Sequence, residues 1–405
     1  MNDAKTDGTS GAELLAAEAM RVRHLLPDVQ YGHTEGAIDL TWGHPDPSTF
    51  AGDDVAEATA TVLGRHGWQA LSYGAPAGAA SVRTAIADHV SAVDAPVSPH
   101  EVLVTAGSSG GLDLVLSLLT RPGDVVLVER PTYFLALKIF ADHGLRVIGM
   151  AGDHSGPDPD DLRHRATAAR DAGANVFVYL VPVFANPTGR CMPLHRMESL
   201  LAAATSSGVT VIEDDVYRDT ASGAPPSMWS LDRRVLRLGS FSKSLAPGLR
   251  VGYLTATAEV VERFAGCGLL DSGGAANHFA AMVVGELVAS GRFGDVVHAN
   301  HHRYRARRDA LVQALDRSLF SFEVPQGGFF LWLGLPAGAA SPVVVESARD
   351  AGVLVSDGRL FFADRPDEGF VRASFSMLDD GLLREGALRL NAAVEDIRRG
   401  LPSGR

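Results

Sequence analysis

Lys243 stands in Ser240-Phe241-Ser242-Lys243, just after the short apolar run 235–238. A lysine placed at the end of a buried strand is a candidate nucleophile or proton carrier. Four further apolar runs end in residues suited to chemistry. Gly107-Ser108-Ser109-Gly110-Gly111 follows 101–105 and opens a helix whose free N–H groups and dipole suit an anion. Pro131-Thr132-Tyr133 follows 125–129 and offers an aromatic plate. Asn186-Pro187-Thr188-Gly189 follows 176–181 and offers an amide. Asp214, Asp215 and Tyr217 follow 209–213. Strand alternation turns Asp214 and Asp215 to opposite sides. Taken alone, the Gly-Ser loop is an ordinary turn as often as a site; five such strand ends in order describe one crevice. Ser240-x-x-Lys243 also matches the S-x-x-K spacing of acyl-serine enzymes, but the companion Lys-Thr-Gly and Ser-x-Asn motifs do not occur in the sequence.

Positioning these groups requires a particular frame. Seven β-branched runs, 101–105, 125–129, 146–149, 176–181, 209–213, 235–238 and 251–254, alternate with longer Ala/Leu-rich helical stretches. Runs apolar on both faces and separated by helices indicate a mainly parallel sheet covered on both sides, with ligands beyond the carboxyl ends of its strands. The connection before 251–254 is short for a crossover, so that run can pair antiparallel. After about residue 295 a long polar helix (301–317) leads to short runs at 322–324, 329–333, 353–355 and 370–374, and a terminal helix near 379–399. The expected division is a tail (1–11), an N-terminal arm and part of a small domain (12–50), a large domain (51–294) and a C-terminal small α+β domain (295–400). Residues 12–26 have helical spacing. The cluster His301, His302, Arg303, Arg305, Arg307, Arg308 reads as a solvated helix face.

The 405 residues are 46% apolar and 21% charged, which excludes general disorder. Acidic residues outnumber basic ones, 48 to 36, for a net charge of −12, which argues against a nucleic-acid partner. Cys191 and Cys267 are too few for a disulfide scaffold or a cysteine zinc site. No apolar run reaches the roughly 20 residues that span a bilayer, and residues 1–11 lack a signal-peptide apolar region. The expectation is a cytoplasmic protein without a membrane partner.

The segments Asn186-Pro187-Thr188-Gly189, Asp214-Asp215-Val216-Tyr217 and Ser240-Phe241-Ser242-Lys243-Ser244-Leu245-Ala246-Pro247-Gly248-Leu249-Arg250 resemble the fold-type I, class I/II pyridoxal-phosphate aminotransferases, most of all the 2-aminoadipate and aromatic aminotransferase branch. The likeness runs from about residue 35 to 395. Regulators in this branch carry an added N-terminal DNA-binding domain, and the expectation from the length of this sequence is that it has no room for one.

The resemblance implies pyridoxal 5′-phosphate as cofactor, joined to Lys243 as a Schiff base, with the lysine later shuttling the Cα proton. It selects Asp214 as the acid facing the pyridine nitrogen and leaves Asp215 a structural or solvent-facing role. It places Tyr217 and Asn186 on the cofactor's phenolic oxygen and Tyr133 on its ring face. Ser108, Ser109, Gly110, Ser240, Ser242 and Arg250 form the phosphate cup, joined by Tyr73 from the neighbouring subunit of a homodimer. Arg372, in Val371-Arg372-Ala373-Ser374, grips the α-carboxylate of the amino acid, for which a planar guanidinium fork is suited. Gly43 matches the substrate-loop glycine, and Arg21 or Arg23 lies on an arm that closes over substrate; His33 and His44 have no assigned role. The family often places a polar residue before the Asn-Pro-Thr-Gly asparagine, whereas here the approach is Val183-Phe184-Ala185, which makes the rim apolar. The implied reaction is ping-pong transfer of an amino group from an α-amino acid to a 2-oxo acid. The same scaffold also supports lyases, cyclases and replacement or C–C bond-forming enzymes, and, less readily, a non-catalytic binding protein.

Overall fold

A computed structural model describes residues 36–274 and 276–400; Arg21, Arg23, His33 and the expected helix at 12–26 lie outside the described residues. The described chain enters on a two-residue strand, β1 (Ile38–Asp39), and then builds the large sheet. Its strands are β2 (Val102–Thr105), β3 (Val125–Val128), β4 (Arg146–Gly149), β7 (Val176–Leu180), β8 (Thr210–Asp214), β9 (Leu236–Ser240) and β10 (Gly252–Thr255). A small hairpin of β5 (Gly152–Asp153) and β6 (Gly156–Pro157) follows β4. The spatial order is β2-β10-β9-β8-β7-β3-β4. Each of the seven expected runs is a strand of this sheet. β10 pairs antiparallel with both β2 and β9, while the β9-β8-β7-β3-β4 pairings are parallel. β2 and β9 flank the one reversed strand, so they point the same way. The carboxyl ends of β2, β3, β7, β8 and β9 therefore share one edge of the sheet.

Every residue of β2, β3, β7 and β9 is buried, as aliphatic strands covered on both faces must be. β4, at the sheet margin, exposes Arg146. Helices Gly107–Leu119 and Phe134–Asp142 bury Leu112, Val115, Leu116, Ala136 and Phe140 against one face. Helices Pro159–Asp171 and Leu194–Ser207 cover the other with Leu162, Ala166, Met197 and Leu200.

The C-terminal region holds a second, antiparallel sheet, in which β14 (Phe370–Ser374) lies between β11 (Phe330–Gly334) and β13 (Ser356–Asp357). β12 (Val353–Leu354) instead pairs parallel with β1, which ties the N-terminal segment to this region. Ile38 and Leu40 share a core with Leu331, Leu333, Val371, Leu383 and Leu390. Two expectations shift here. The run 322–324 forms no strand; only Ser321 bridges Gly334, because the chain turns there to enter β11. The polar helix begins at Arg292 rather than 301 and runs unbroken to Ala314, across the expected boundary at 294/295. Its basic face is also not simply solvated. Arg307 is buried, pairs with Asp46 and donates to the Ser376 carbonyl; Arg308 donates to the Pro325 carbonyl, and the His301 ring meets the Asp219 carbonyl.

Candidate active site

Lys243 lies three residues past the end of β9, and its Nζ donates to the Gly43 carbonyl at 2.7 Å. Burial strips water from the ammonium and lowers its pKa to about 8; nearby Arg372 pushes the same way and Asp214 opposes. Gly43 has to be glycine, since a Cβ there would lie 2.5 Å from the Phe330 ring.

Asp214 closes β8 and is buried. Its Oδ2 accepts a 2.5 Å hydrogen bond from the Tyr179 hydroxyl, while its Oδ1 is buried with no hydrogen-bond partner among the described residues. Burial raises the carboxyl pKa to about 6, against the Tyr179 hydrogen bond, which lowers it. Asp215 turns to the other side, as strand alternation requires, and is structural rather than solvent-facing. Its Oδ2 takes Arg218 Nε at 2.6 Å and Arg237 Nε at 2.9 Å, and Arg237 also reaches Asp94 at 3.2 Å. All four side chains are almost fully buried. This cluster ties β9, which leads to Lys243, to the turn carrying Asp214 and Tyr217.

Tyr217 is buried edge-on against Phe329 and Phe330, and its hydroxyl accepts from Asn186 Nδ2 at 3.5 Å. Asn186 Oδ1 in turn accepts from Arg372 Nη1 at 2.9 Å. Arg372, in the middle of β14, also donates to the Thr41 carbonyl at 2.6 Å and to Ser356 Oγ at 3.1 Å. Its guanidinium lies 4.0 Å from the Phe330 ring centre and 4.8 Å from that of Phe361. None of its hydrogen-bond partners is a carboxylate, and its Nε is buried and unpaired among the described residues. Desolvation lowers its pKa to about 10. A buried guanidinium without an acid is poised for an incoming anion.

The helix Gly107–Leu119 begins with no side-chain cap, so its first amides, at Ser108, Ser109 and Gly110, are left for another acceptor. Arg250 donates to the Ala106 carbonyl beside this turn, and Ser240 and Ser242 are buried at the end of β9. Gly107 has φ +76°, and a Cβ there would meet Arg250 Nη2 at 2.6 Å. Tyr133, at the start of the helix Phe134–Asp142, lies among Asp214, Arg372 and Arg250; burial raises its hydroxyl pKa. Tyr73 stands apart, 85% exposed. His44 accepts from Ser376 Oγ through its carbonyl, and its ring packs near Trp42.

The residues present fit pyridoxal phosphate. The orphaned Asp214 Oδ1 suits a pyridine N–H, the uncapped helix start and Arg250 suit a phosphate, and Lys243 is a half-buried amine whose desolvation lowers its pKa. Reading the sequence alone missed Tyr179, Thr41 and Ser356. Only Tyr179 left a signal: a lone hydroxyl in the strand Val-Phe-Val-Tyr-Leu must find a buried partner. Among the described residues there is no group of three or more side chains able to hold a metal, and no helix long and apolar enough to cross a membrane.

Comparison with known proteins agrees with this geometry. A family model described as aminotransferase class I and II matches residues 37–390. The chain is 33% identical to the 2-aminoadipate transaminase of Thermus thermophilus, over 94% of this chain and 95% of that protein. It is 31% identical to aromatic-amino-acid aminotransferase 1 of Thermococcus litoralis, over 94% and 93%. The crystal structure of alpha-aminoadipate aminotransferase from Thermus thermophilus, complexed with N-(5′-phosphopyridoxyl)-L-leucine, superposes with a TM-score of 0.81 at 31% identity, covering 97% of this chain and all of that one. That of a multiple substrate aminotransferase from Thermococcus profundus gives 0.83 at 27% identity, covering 99% and 97%. The chain belongs to the class I and II aminotransferases, on the fold-type I scaffold, and its cofactor is pyridoxal phosphate.

Proposed function

We propose that Lys243 carries the cofactor and moves the proton of the reacting carbon while the enzyme transfers an amino group from an α-amino acid to a 2-oxo acid. When bound, pyridoxal phosphate supplies an aldehyde that takes up the amino group and a ring that accepts the electron pair left at Cα. Asp214 Oδ1 holds a proton on the pyridine nitrogen. Asn186 and Tyr217, already joined through the amide and the hydroxyl, orient the phenolic oxygen. Tyr133 covers the ring. The amides of Ser108, Ser109 and Gly110, with Ser240, Ser242 and Arg250, hold the phosphate. Arg372 grips the substrate α-carboxylate, and its aromatic neighbours exclude water from that ion pair. Gly43 accepts from Lys243 Nζ until the cofactor takes up that nitrogen. Lys243 Nζ, with its lowered pKa, takes the proton from Cα.

The observation that carries this reading is the gathering, among the described residues, of a desolvated amine, a buried carboxylate oxygen without a donor and a buried guanidinium without an acid. Tyr73 supports a homodimer with shared sites, because it is 85% exposed and a second subunit would cover it. A single turnover without acceptor tests the reaction. Each equivalent of amino acid should convert the cofactor from aldehyde to amine form in step with release of one 2-oxo acid. Return of the aldehyde form while the substrate loses a side-chain group or cyclises would overturn it.

A further inference from the structure

Resting on the reading of Asp214 as the partner of the pyridine nitrogen, we propose that Tyr179 is a positioning residue: its hydroxyl occupies Asp214 Oδ2, keeps the acid ionised, and leaves Oδ1 to hold the ring N–H. Tyr179 belongs to β7, where Val128 and Ile212 of the two flanking strands lie level with it. It is fully buried, and Phe140 meets its ring edge-on at 5.3 Å. The side chain has no room to turn away. Its hydroxyl is 2.5 Å from Asp214 Oδ2, and Asp214 Oδ1 has no partner among the described residues. One oxygen is therefore committed and the other is aimed by that commitment.

The electrostatic setting makes the hydrogen bond consequential. Burial and the neighbouring Asp215 both favour protonated Asp214, while Tyr179 and Lys243 favour the carboxylate; Tyr133 and Tyr217 also lie within its field, and Glu129 within that of Tyr179. Asp215 is already matched by Arg218 and Arg237, so little of their charge is left over for Asp214. A proton shared between Asp214 and the pyridine nitrogen goes to the nitrogen only if the carboxylate is the more stable form. A hydroxyl donating to the charged form supplies that bias.

The test uses holoenzyme loaded with pyridoxal phosphate labelled with ¹⁵N in the ring, since the ¹⁵N shift reports ring protonation directly. In the unaltered enzyme the nitrogen should stay protonated through neutral pH. In Tyr179→Phe the pH at which it loses its proton should fall by about one to two units, the effect of removing one hydrogen bond to a charged group. With it, kcat should fall while KM changes little. Asp214→Asn marks the shift of the unprotonated ring. A fluorinated tyrosine at 179, which keeps the hydroxyl and makes it a stronger donor, should hold the ring protonated to higher pH, and this arm stands even where Tyr179→Phe fails to fold. An unchanged ¹⁵N titration in Tyr179→Phe or in the fluorinated protein overturns the proposal. Failure of the unaltered chain to bind pyridoxal phosphate overturns the underlying reading instead.

Discussion

Desolvation sets the reactivity of Lys243. With a pKa of about 8 it holds roughly 300-fold more neutral amine at pH 7 than an exposed lysine. The sign follows from the depressed pKa: the nucleophilic form grows as pH rises through 8 and then saturates. Capture of pyridoxal phosphate by the unloaded protein, followed by absorbance, should therefore rise with pH and level off above 8. A profile still climbing at pH 10 contradicts the burial. Borohydride should fix the cofactor to the peptide containing Lys243, and Lys243→Ala should abolish the fixation. The two neighbouring acids should fail differently. Asp214→Ala should keep its fold and bind cofactor but stall at Cα deprotonation. Asp215→Ala leaves the buried Arg218 and Arg237 with Asp94 as their remaining ion-pair partner and should cost about 3–5 kcal/mol, read by urea denaturation. Its harm comes through stability, a route that strand alternation alone did not reveal. Arg372→Ala should lower kcat/KM for amino acids by about 2–5 kcal/mol, and unchanged turnover would exclude it from carboxylate binding.

At the level of elements, the strand ends bring the candidate groups together, and the uncapped helix start after β2 is where the phosphate is proposed to sit. Gly107 combines positive φ with a contact at which an added Cβ would push Arg250 Nη2 aside. Gly107→Ala should strain the turn by about 1–2 kcal/mol and displace Arg250, weakening cofactor retention at least about ten-fold in equilibrium dialysis. Retention equal to the parent's would show that the phosphate is held elsewhere. The seven strands were legible because aliphatic runs bounded by turns have few alternatives. The reversed β10 was legible too, since its short connection cannot make a crossover. The run 322–324 was not, because its apolar residues resemble a strand while the pairing that defines one stops at the single bridge from Ser321 to Gly334.

On the scale of the whole molecule, Trp68, Leu71, Tyr73 and Leu269 are 75%, 68%, 85% and 59% exposed. Leu71 and Tyr73 line a common cavity of about 330 Å³ with His278 and Phe279. Large apolar side chains gathered on one surface point to association, which fits the homodimer proposed from Tyr73. Light scattering should give twice the 42.7 kDa chain mass. Trp68→Glu with Leu71→Glu should shift the mass toward monomer and reduce activity in parallel. A fully active monomer would sink the shared-site reading.

The amino-acid sequence by itself determined the alternation of strands and helices and the motifs at the strand ends, since these depend on residues close along the chain. Thus the lysine, the asparagine, the Asp214–Tyr217 spacing and the Gly-Ser loop were all visible. Only the tertiary structure decided what each group touches. Lys243 meets a carbonyl 200 residues away, Arg372 meets an amide 186 residues away, and Tyr179 and Asp214 are joined across 35. Arg307 left its solvated face for Asp46, and Asp215, read as structural or solvent-facing, proved structural by meeting two arginines. Such pairings are set by strand register and by the cost of burying an unpaired charge, and both exist only once the chain is packed.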